Sequence, residues 1–198
     1  MIRSPLGEKP SLPPANSWSM LSSPAHKSSI TLSVDVAPAG IGSQWLRTLK
    51  VGDPVSFKGP SGAFVFNRAD PRRALFIAEE IGIVPIHSIL SHLYETGYGR
   101  GNGLIFWGRS QAHLLYDAHF RSLARRYPGF SYLPAVREAE VGWRGERGEV
   151  TDAVERLVHS VDRLVVYVCG GGETIQKVRD VLVRKGMDRK SVKWEKFW

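Results

Sequence analysis

Ala74-Leu-Phe-Ile-Ala-Glu-Glu-Ile-Gly-Ile-Val-Pro-Ile-His-Ser-Ile-Leu90 decides the fold, because an apolar strand runs into a glycine turn and straight on into an amphipathic helix. Pro85 fits the first turn of that helix, where no amide hydrogen is needed. Ile86, Ile89, Leu90 and Leu93 then recur at i, i+3, i+4 and i+7 to form one buried stripe. Such a helix start presents free backbone N–H groups and the positive end of the helix dipole, which suits a phosphate. Any parallel-sheet domain contains strand-turn-helix units, so the turn by itself argues for an α/β fold more than for a ligand.

Downstream the same alternation continues. The pattern predicts strands over 75–78, 104–107, 130–135, 164–169 and 192–197, with helices over 84–95, 112–126, 151–159 and 173–185 between them. Thr151 reads as the cap of the third of these helices, and the glycine-rich run 97–103 as a connector. This order implies a parallel sheet covered on both faces, with ligands at the carboxyl ends of its strands.

Upstream the pattern is different. Pro5, Pro10, Pro13 and Pro14 make 1–15 irregular. Antiparallel strands are predicted over 17–22, 29–36 and 54–66, the last around a Gly-Pro-Ser-Gly turn, with a short helix over 40–49 capped by Ser43. The expected architecture is therefore a partial antiparallel β-barrel over 1–70, followed over 71–198 by an α/β nucleotide-binding domain with a parallel sheet.

At 198 residues the chain can bury a real core. Its single cysteine, Cys169, rules out an internal disulfide and fits a reducing cytoplasm. No apolar run is long enough to span a membrane, and the start of the chain has no apolar core of a signal peptide. The six histidines, among them His87, His92, His113 and His119, have no metal-ligand spacing and read as surface or helix-face residues. The formal net charge of +8 admits phosphorylated ligands, acidic protein partners or nucleic acid, but the basic residues are scattered and no nucleic-acid-binding motif is present.

Several motifs follow one another in order. They are Trp18-Ser-Met-Leu-Ser-Ser-Pro24, Gly40-Ile-Gly-Ser43, Val51-Gly-Asp-Pro-Val55 with Gly59-Pro-Ser-Gly62, the turn at 77–85, Trp107-Gly-Arg109 through Tyr116, Val168-Cys-Gly-Gly-Gly172, and Glu195-Lys-Phe-Trp198. Together they resemble the ferredoxin-NADP reductase superfamily of flavoprotein oxidoreductases, in which a flavin-binding β-barrel precedes a pyridine-nucleotide domain. The resemblance covers the chain from about Ser17 to its end. It implies hydride transfer between the nicotinamide of NADP, or NAD, and the flavin of FAD. The cofactors carry that reaction, and the protein stacks, orients and shields them.

The resemblance also implies residue roles. Ser19 would hydrogen-bond near flavin N5, Trp18 would stack on the isoalloxazine, and Gly40, Gly42 and Ser43 would hold the flavin pyrophosphate, with Asn16 at the start of the flavin strand. Gly82, Ile83 and Pro85 would form the nucleotide loop, and Gly170 and Gly171 the loop below the nicotinamide. Cys169 would lie beside that ring, Glu195 would orient it, and Phe197 or Trp198 would cover the flavin. Arg109 and Arg137 stand where a 2′-phosphate is paired, which favours NADP. Taken singly, Trp18, Ser19 and Cys169 read better as a core aromatic, an ordinary strand serine and a small buried hydrophobe; taken in register with the other motifs, they read as site residues.

Three features depart from the family pattern. Asn16 stands where an arginine is usual, Glu79-Glu80-Ile81-Gly82 stands where Gly-Gly-Thr-Gly is usual, and 1–15 is too short for the barrel strands that should precede the flavin strand. They motivate an alternative, a degenerate member acting as a non-catalytic binding or electron-transfer subunit. For the enzyme reading, the expected partner is an acidic electron carrier such as ferredoxin or flavodoxin, steered by the basic charge.

Overall fold

A computed structural model describes residues 2–3, 17–37 and 40–197. In chain order the elements are β1 (Ile2–Arg3), α1 (Ile41–Thr48), β2 (Ser56–Phe57), β3 (Arg73–Glu79), α2 (Ile83–Glu95), β4 (Asn102–Ser110), α3 (Asp117–Arg126), β5 (Phe130–Glu138), β6 (Glu146–Arg147), α4 (Val150–Leu157), β7 (Leu164–Gly170), α5 (Gly172–Arg184) and β8 (Val192–Lys196). Strands β3 to β8 form one six-stranded parallel sheet in the order β6-β5-β4-β3-β7-β8. The chain winds outward from β3 to β6 and then returns to the other side of β3. The order therefore reverses between β3 and β7, and a crevice opens there at the carboxyl ends of the strands.

Alternation along the strands sorts the core into two layers. Phe76, Ala78, Leu104, Phe106, Val165, Tyr167 and Cys169 face α2 and α3, while Ile77, Ile105, Trp107, Val166 and Val168 face α4 and α5. Helix α2 contributes Ile83, Ile86 and Leu90, all without solvent exposure, and each stabilises the fold by about 1.5–3 kcal/mol relative to an exposed side chain.

The residues before β3 lie on the α2 side. Phe66 sits 5.9 Å from Phe76, 5.6 Å from Tyr98 and 5.5 Å from Tyr167, and the Asn67 amide donates to the Tyr167 hydroxyl. Arg72 grips Asp70 through Nε and Nη2 and donates through Nη1 to Ser191 Oγ at 2.7 Å, tying this junction to the start of β8.

Four expectations are corrected. The strands expected over 17–22, 29–36 and 54–66 shrink, among the described residues, to one bridge between Met20 and Leu32 and the two-residue pairing of β1 with β2. Ile30, Val55 and Phe57 stay exposed, so no packed face fixes a register around them, whereas Phe64 and Phe66 turn onto the α2-side core. Ser43 does not cap α1. Gly40 holds the cap position and the Ser43 hydroxyl donates to the Asp35 carbonyl. Helix α4 is capped by Glu149 in a reciprocal box with Asp152, two residues ahead of Thr151. The helix expected over 112–126 is split, because Tyr116 adopts the left-handed conformation (φ 60°) and α3 starts at Asp117, whose carboxylate takes Arg121 and the Tyr132 hydroxyl.

Candidate functional site

At the carboxyl end of β3 the chain turns through Glu80–Gly82 into α2. Gly82 passes so close to β7 that a Cβ there would lie 2.4 Å from the Cys169 carbonyl oxygen, so only glycine closes the turn against the neighbouring strand. The carboxylates beside it reach sideways in both directions. Glu79 Oε2 accepts from the Gly171 amide at 2.7 Å and Glu80 Oε1 accepts from the Arg109 amide at 3.1 Å. Glu80 does so from φ 46°, a strained conformation for a residue with a Cβ. The Glu79 side chain covers Gly170, where a Cβ would stand 2.7 Å from it. A cleft of about 310 Å³ opens beside it, lined by Glu79, Gly171, Gly172, Glu173, Thr174 and Lys196.

Cys169 sits in register between Ala78 of β3 and Glu195 of β8 and has no solvent exposure. Burial pushes its thiol up from the ordinary range, and the Glu195 and Glu79 carboxylates push it further, so it remains protonated at neutral pH. Ser19 Oγ donates to Glu195 Oε1 at 2.5 Å, bringing two half-buried residues from opposite ends of the chain together beside Cys169. Trp18, next to Ser19, stacks on Trp45 of α1 at 6.4 Å and 21°. Beyond β8, the Phe197 amide donates to the Gly170 carbonyl and the Phe197 ring is half-buried against the α2-side core.

Helix α2 holds the Ser19 segment from the other side. His87 Nδ1 lies 3.1 Å from the Leu21 carbonyl, and the Ser88 hydroxyl donates to the Ser22 carbonyl at 2.7 Å. A carbonyl can only accept, so Nδ1 carries the proton in this contact. The ring packs 4.7 Å from His119 and 4.9 Å from Tyr116, and burial lowers its pKa. His87 is thus a half-buried clamp on the face of α2, in keeping with a helix-face residue rather than a surface one.

Of the residues singled out from sequence, the fold brings Ser19, Gly82, Cys169, Gly170, Gly171 and Glu195 together. Ile83 and Pro85 are buried in the first turn of α2. Gly40, Gly42 and Ser43 begin α1, which Trp45 links to Trp18. Arg109 and Arg137 stand at the carboxyl ends of β4 and β5, each engaged by a carboxylate. Arg109 Nε donates to Glu138 at 3.1 Å, and Arg137 grips Glu149 at 2.6 and 3.0 Å while lying 5.0 Å over the Trp107 ring. Asn16 and Trp198 lie outside the described residues.

Sequence reading missed Trp45, Lys196 and the work of Glu79 and Glu80. Their partners lie far along the chain, where no local pattern reaches. Strand alternation offered one signal, since it puts Lys196 on the opposite face of β8 from Glu195.

Residues 76–180 match the oxidoreductase NAD-binding domain family and residues 14–66 match the oxidoreductase FAD-binding domain family. The chain belongs to the ferredoxin-NADP reductase superfamily of flavoprotein oxidoreductases. It is 28% identical over 195 residues to the reductase component of phenol 2-monooxygenase from Pseudomonas sp. strain CF600, covering 96% of this chain and 55% of that one. It is 26% identical over 187 residues to ferredoxin-NADP reductase B of Sorangium cellulosum strain So ce56, covering 91% and 77%. The fold matches the Amycolatopsis cytochrome P450 reductase GcoB with a TM-score of 0.80 at 23% identity, over 91% of this chain and 55% of that one. The chain spans about half the length of most curated relatives it matches.

The residues fit the cofactors of this superfamily in most places. The half-buried Trp18 ring, backed by buried Trp45, offers an aromatic face. Gly40 leaves open space at the start of α1, with no side chain capping that helix. The Ser19–Glu195 pair places a hydroxyl and a carboxylate where the two halves of the chain meet. The fit to a phosphate is poorest at the Gly171 amide, because Glu79 already holds it.

Proposed function

We propose that this chain is a flavin-dependent oxidoreductase that transfers a hydride between NAD(P)H and bound FAD and passes the electrons to a carrier protein or small acceptor. The observation that carries this reading is the 2.5 Å contact of Ser19 with Glu195 beside Cys169 at the carboxyl edge of the sheet. FAD and the pyridine nucleotide supply the redox chemistry when bound. In this reading 1–70 forms the flavin domain and 71–198 the nucleotide domain. Trp18, backed by Trp45, presents a face to the flavin, α1 receives its pyrophosphate, and Ser19 and Glu195 position the two rings. Cys169 is a small neutral wall, and Phe197 shields the site from water.

Several relatives bear names of oxygenase reductase components, which supports an oxygenase or ferredoxin-type partner as acceptor. The basic charge supports steering of an acidic one, and reduction rates of such a carrier should then fall as ionic strength rises. We place the protein in the cytoplasm on its single buried thiol. Among the described residues no helix is long and apolar enough to cross a membrane.

The test is the visible spectrum of the protein with added FAD, before and after anaerobic NADPH or NADH. A bound flavin that bleaches supports the reading. A second reading, a non-catalytic family member, is favoured by Glu79 and Glu80 occupying backbone amides of the crevice, and it predicts a colourless protein.

A further inference from the structure

The peptide unit that closes β7 is held at both of its ends. The Gly170 carbonyl accepts from the Phe197 amide at 3.0 Å, and the Gly171 amide of the same unit donates to Glu79 Oε2 at 2.7 Å. The C=O and N–H of a trans peptide point in opposite directions, so one end faces β8 and the other faces β3. Pairing of β3 with β7 stops at Ala78 and Cys169, and the chain turns at Glu80, so the Glu79 side chain takes the amide in place of a backbone carbonyl. It reaches there because Gly170 has no Cβ, which would stand 2.7 Å from it. A peptide with glycine on both sides offers little resistance of its own to rotation. Its orientation is therefore set by these two partners. Turned over, it would aim the Gly170 carbonyl at the Glu79 carboxylate and the Gly171 amide at the Phe197 amide, leaving both ends unmatched.

Phe197 lies just past the end of β8, whose pairing with β7 stops at Lys196 and Gly170, so its bond to the Gly170 carbonyl carries the hold of β7 on the chain one residue further. Its ring packs on the α2-side core, in the layer of Cys169, while strand alternation puts Glu79 with Ile77 on the opposite face. We propose that Glu79 is a positioning residue for Phe197: by fixing the Gly170–Gly171 peptide from one face of the sheet, it keeps the Phe197 ring in place as the shield of the redox site on the other. This rests on the oxidoreductase reading above, in which Phe197 keeps water from the site. Glu79 acts here as a hydrogen-bond acceptor, so a neutral side chain of the same length that can accept does the same work, and one that cannot accept does not.

The experiment joins amide hydrogen exchange of the chain without FAD to iodide quenching of flavin fluorescence in the FAD-loaded protein. In E79A, exchange at Gly171 should quicken about ten- to a hundredfold and at Phe197 about three- to tenfold, with the middle of β7 unchanged. Iodide quenching of its flavin should rise toward that of F197A. E79Q, which removes the same charge but keeps an acceptor, should match the wild type in both measurements. E79D, whose carboxylate is one methylene short of the amide, should change in the direction of E79A and covers the case in which E79A does not fold. Exchange at Gly171 that stays slow, or that quickens while Phe197 exchange and flavin quenching do not move, overturns the proposal and leaves the oxidoreductase reading intact. An E79Q protein that behaves like E79A overturns it as well. A wild-type chain that takes up no FAD overturns both.

Discussion

Gly82 shows what one missing Cβ achieves. Its neighbour is the Cys169 carbonyl, a backbone atom held in the central parallel ladder, and backbone cannot move aside as a flexible side chain would. G82A should therefore lower stability by about 2–4 kcal/mol, read as an earlier midpoint in urea unfolding. An unchanged midpoint would mean that the turn can lift away from β7. Glu195 belongs to a different class, because its side chain is half-buried and its contact with Ser19 positions rather than supports. E195Q should unfold like the wild type yet slow anaerobic flavin reduction by about ten- to a hundredfold, with a smaller change in coenzyme affinity. Gly82, Cys169 and Glu195 were legible in the sequence because each sits at a strand end inside a motif. The clasp of Glu79 and Glu80 was not, since two carboxylates in a turn read only as like charges until their amide partners, just after β7 and on β4, are known.

Elements were legible where a hydrophobic period ran uninterrupted. The five expected strands of the parallel sheet all appear, each extended by one to three residues at one or both ends except for β8, which stops one residue earlier at Lys196. Periodicity failed where a side chain overrode it. Tyr116, packed on His87, breaks the expected helix and shifts its start to Asp117. At α4 the cap belongs to Glu149, because its carboxylate both closes the box with Asp152 and grips Arg137. That double duty gives an element-scale prediction. E149A should remove about 1 kcal/mol of stability through the lost cap. It should also free Arg137 for a 2′-phosphate, so the ratio of NADPH to NADH affinity should rise several-fold. A ratio that stays fixed in the folded variant would show that Arg137 does not face the coenzyme.

The molecule as a whole is held together by contacts that join its first third to the parallel sheet, and the short ladders explain why that third was the least legible. With Ile30, Val55 and Phe57 exposed, alternation alone could not say where a strand would hold. Two of the joining contacts titrate, and they should fail in sequence as acid is added. His87 clamps the Leu21 carbonyl from a half-buried position, and burial lowers its pKa from the ordinary 6.5, so protonation is harder in the folded state than in the unfolded one. Its contribution is full above 6.5 and is lost as pH falls through the lowered value. The groups around it are His119, Tyr116, Ser91 and, at longer range, Glu95, whose charge only partly opposes the effect. Asp70 follows at lower pH. The Arg72 guanidinium and amide hold its carboxyl down at about 2 against an ordinary 3.8, so its contribution is present above 3.8 and lost as pH falls toward 2. After allowance for solvent screening that contribution is about 1–2 kcal/mol. Acid titration followed by flavin fluorescence and by far-ultraviolet circular dichroism should therefore show flavin release beginning below about pH 6.5, ahead of the loss of helix signal. H87Q should abolish the lead of the first signal over the second. D70N should lower stability at neutral pH and flatten its dependence between about 4 and 2. Simultaneous loss of both signals in the wild type would show that the first third does not detach separately from the sheet.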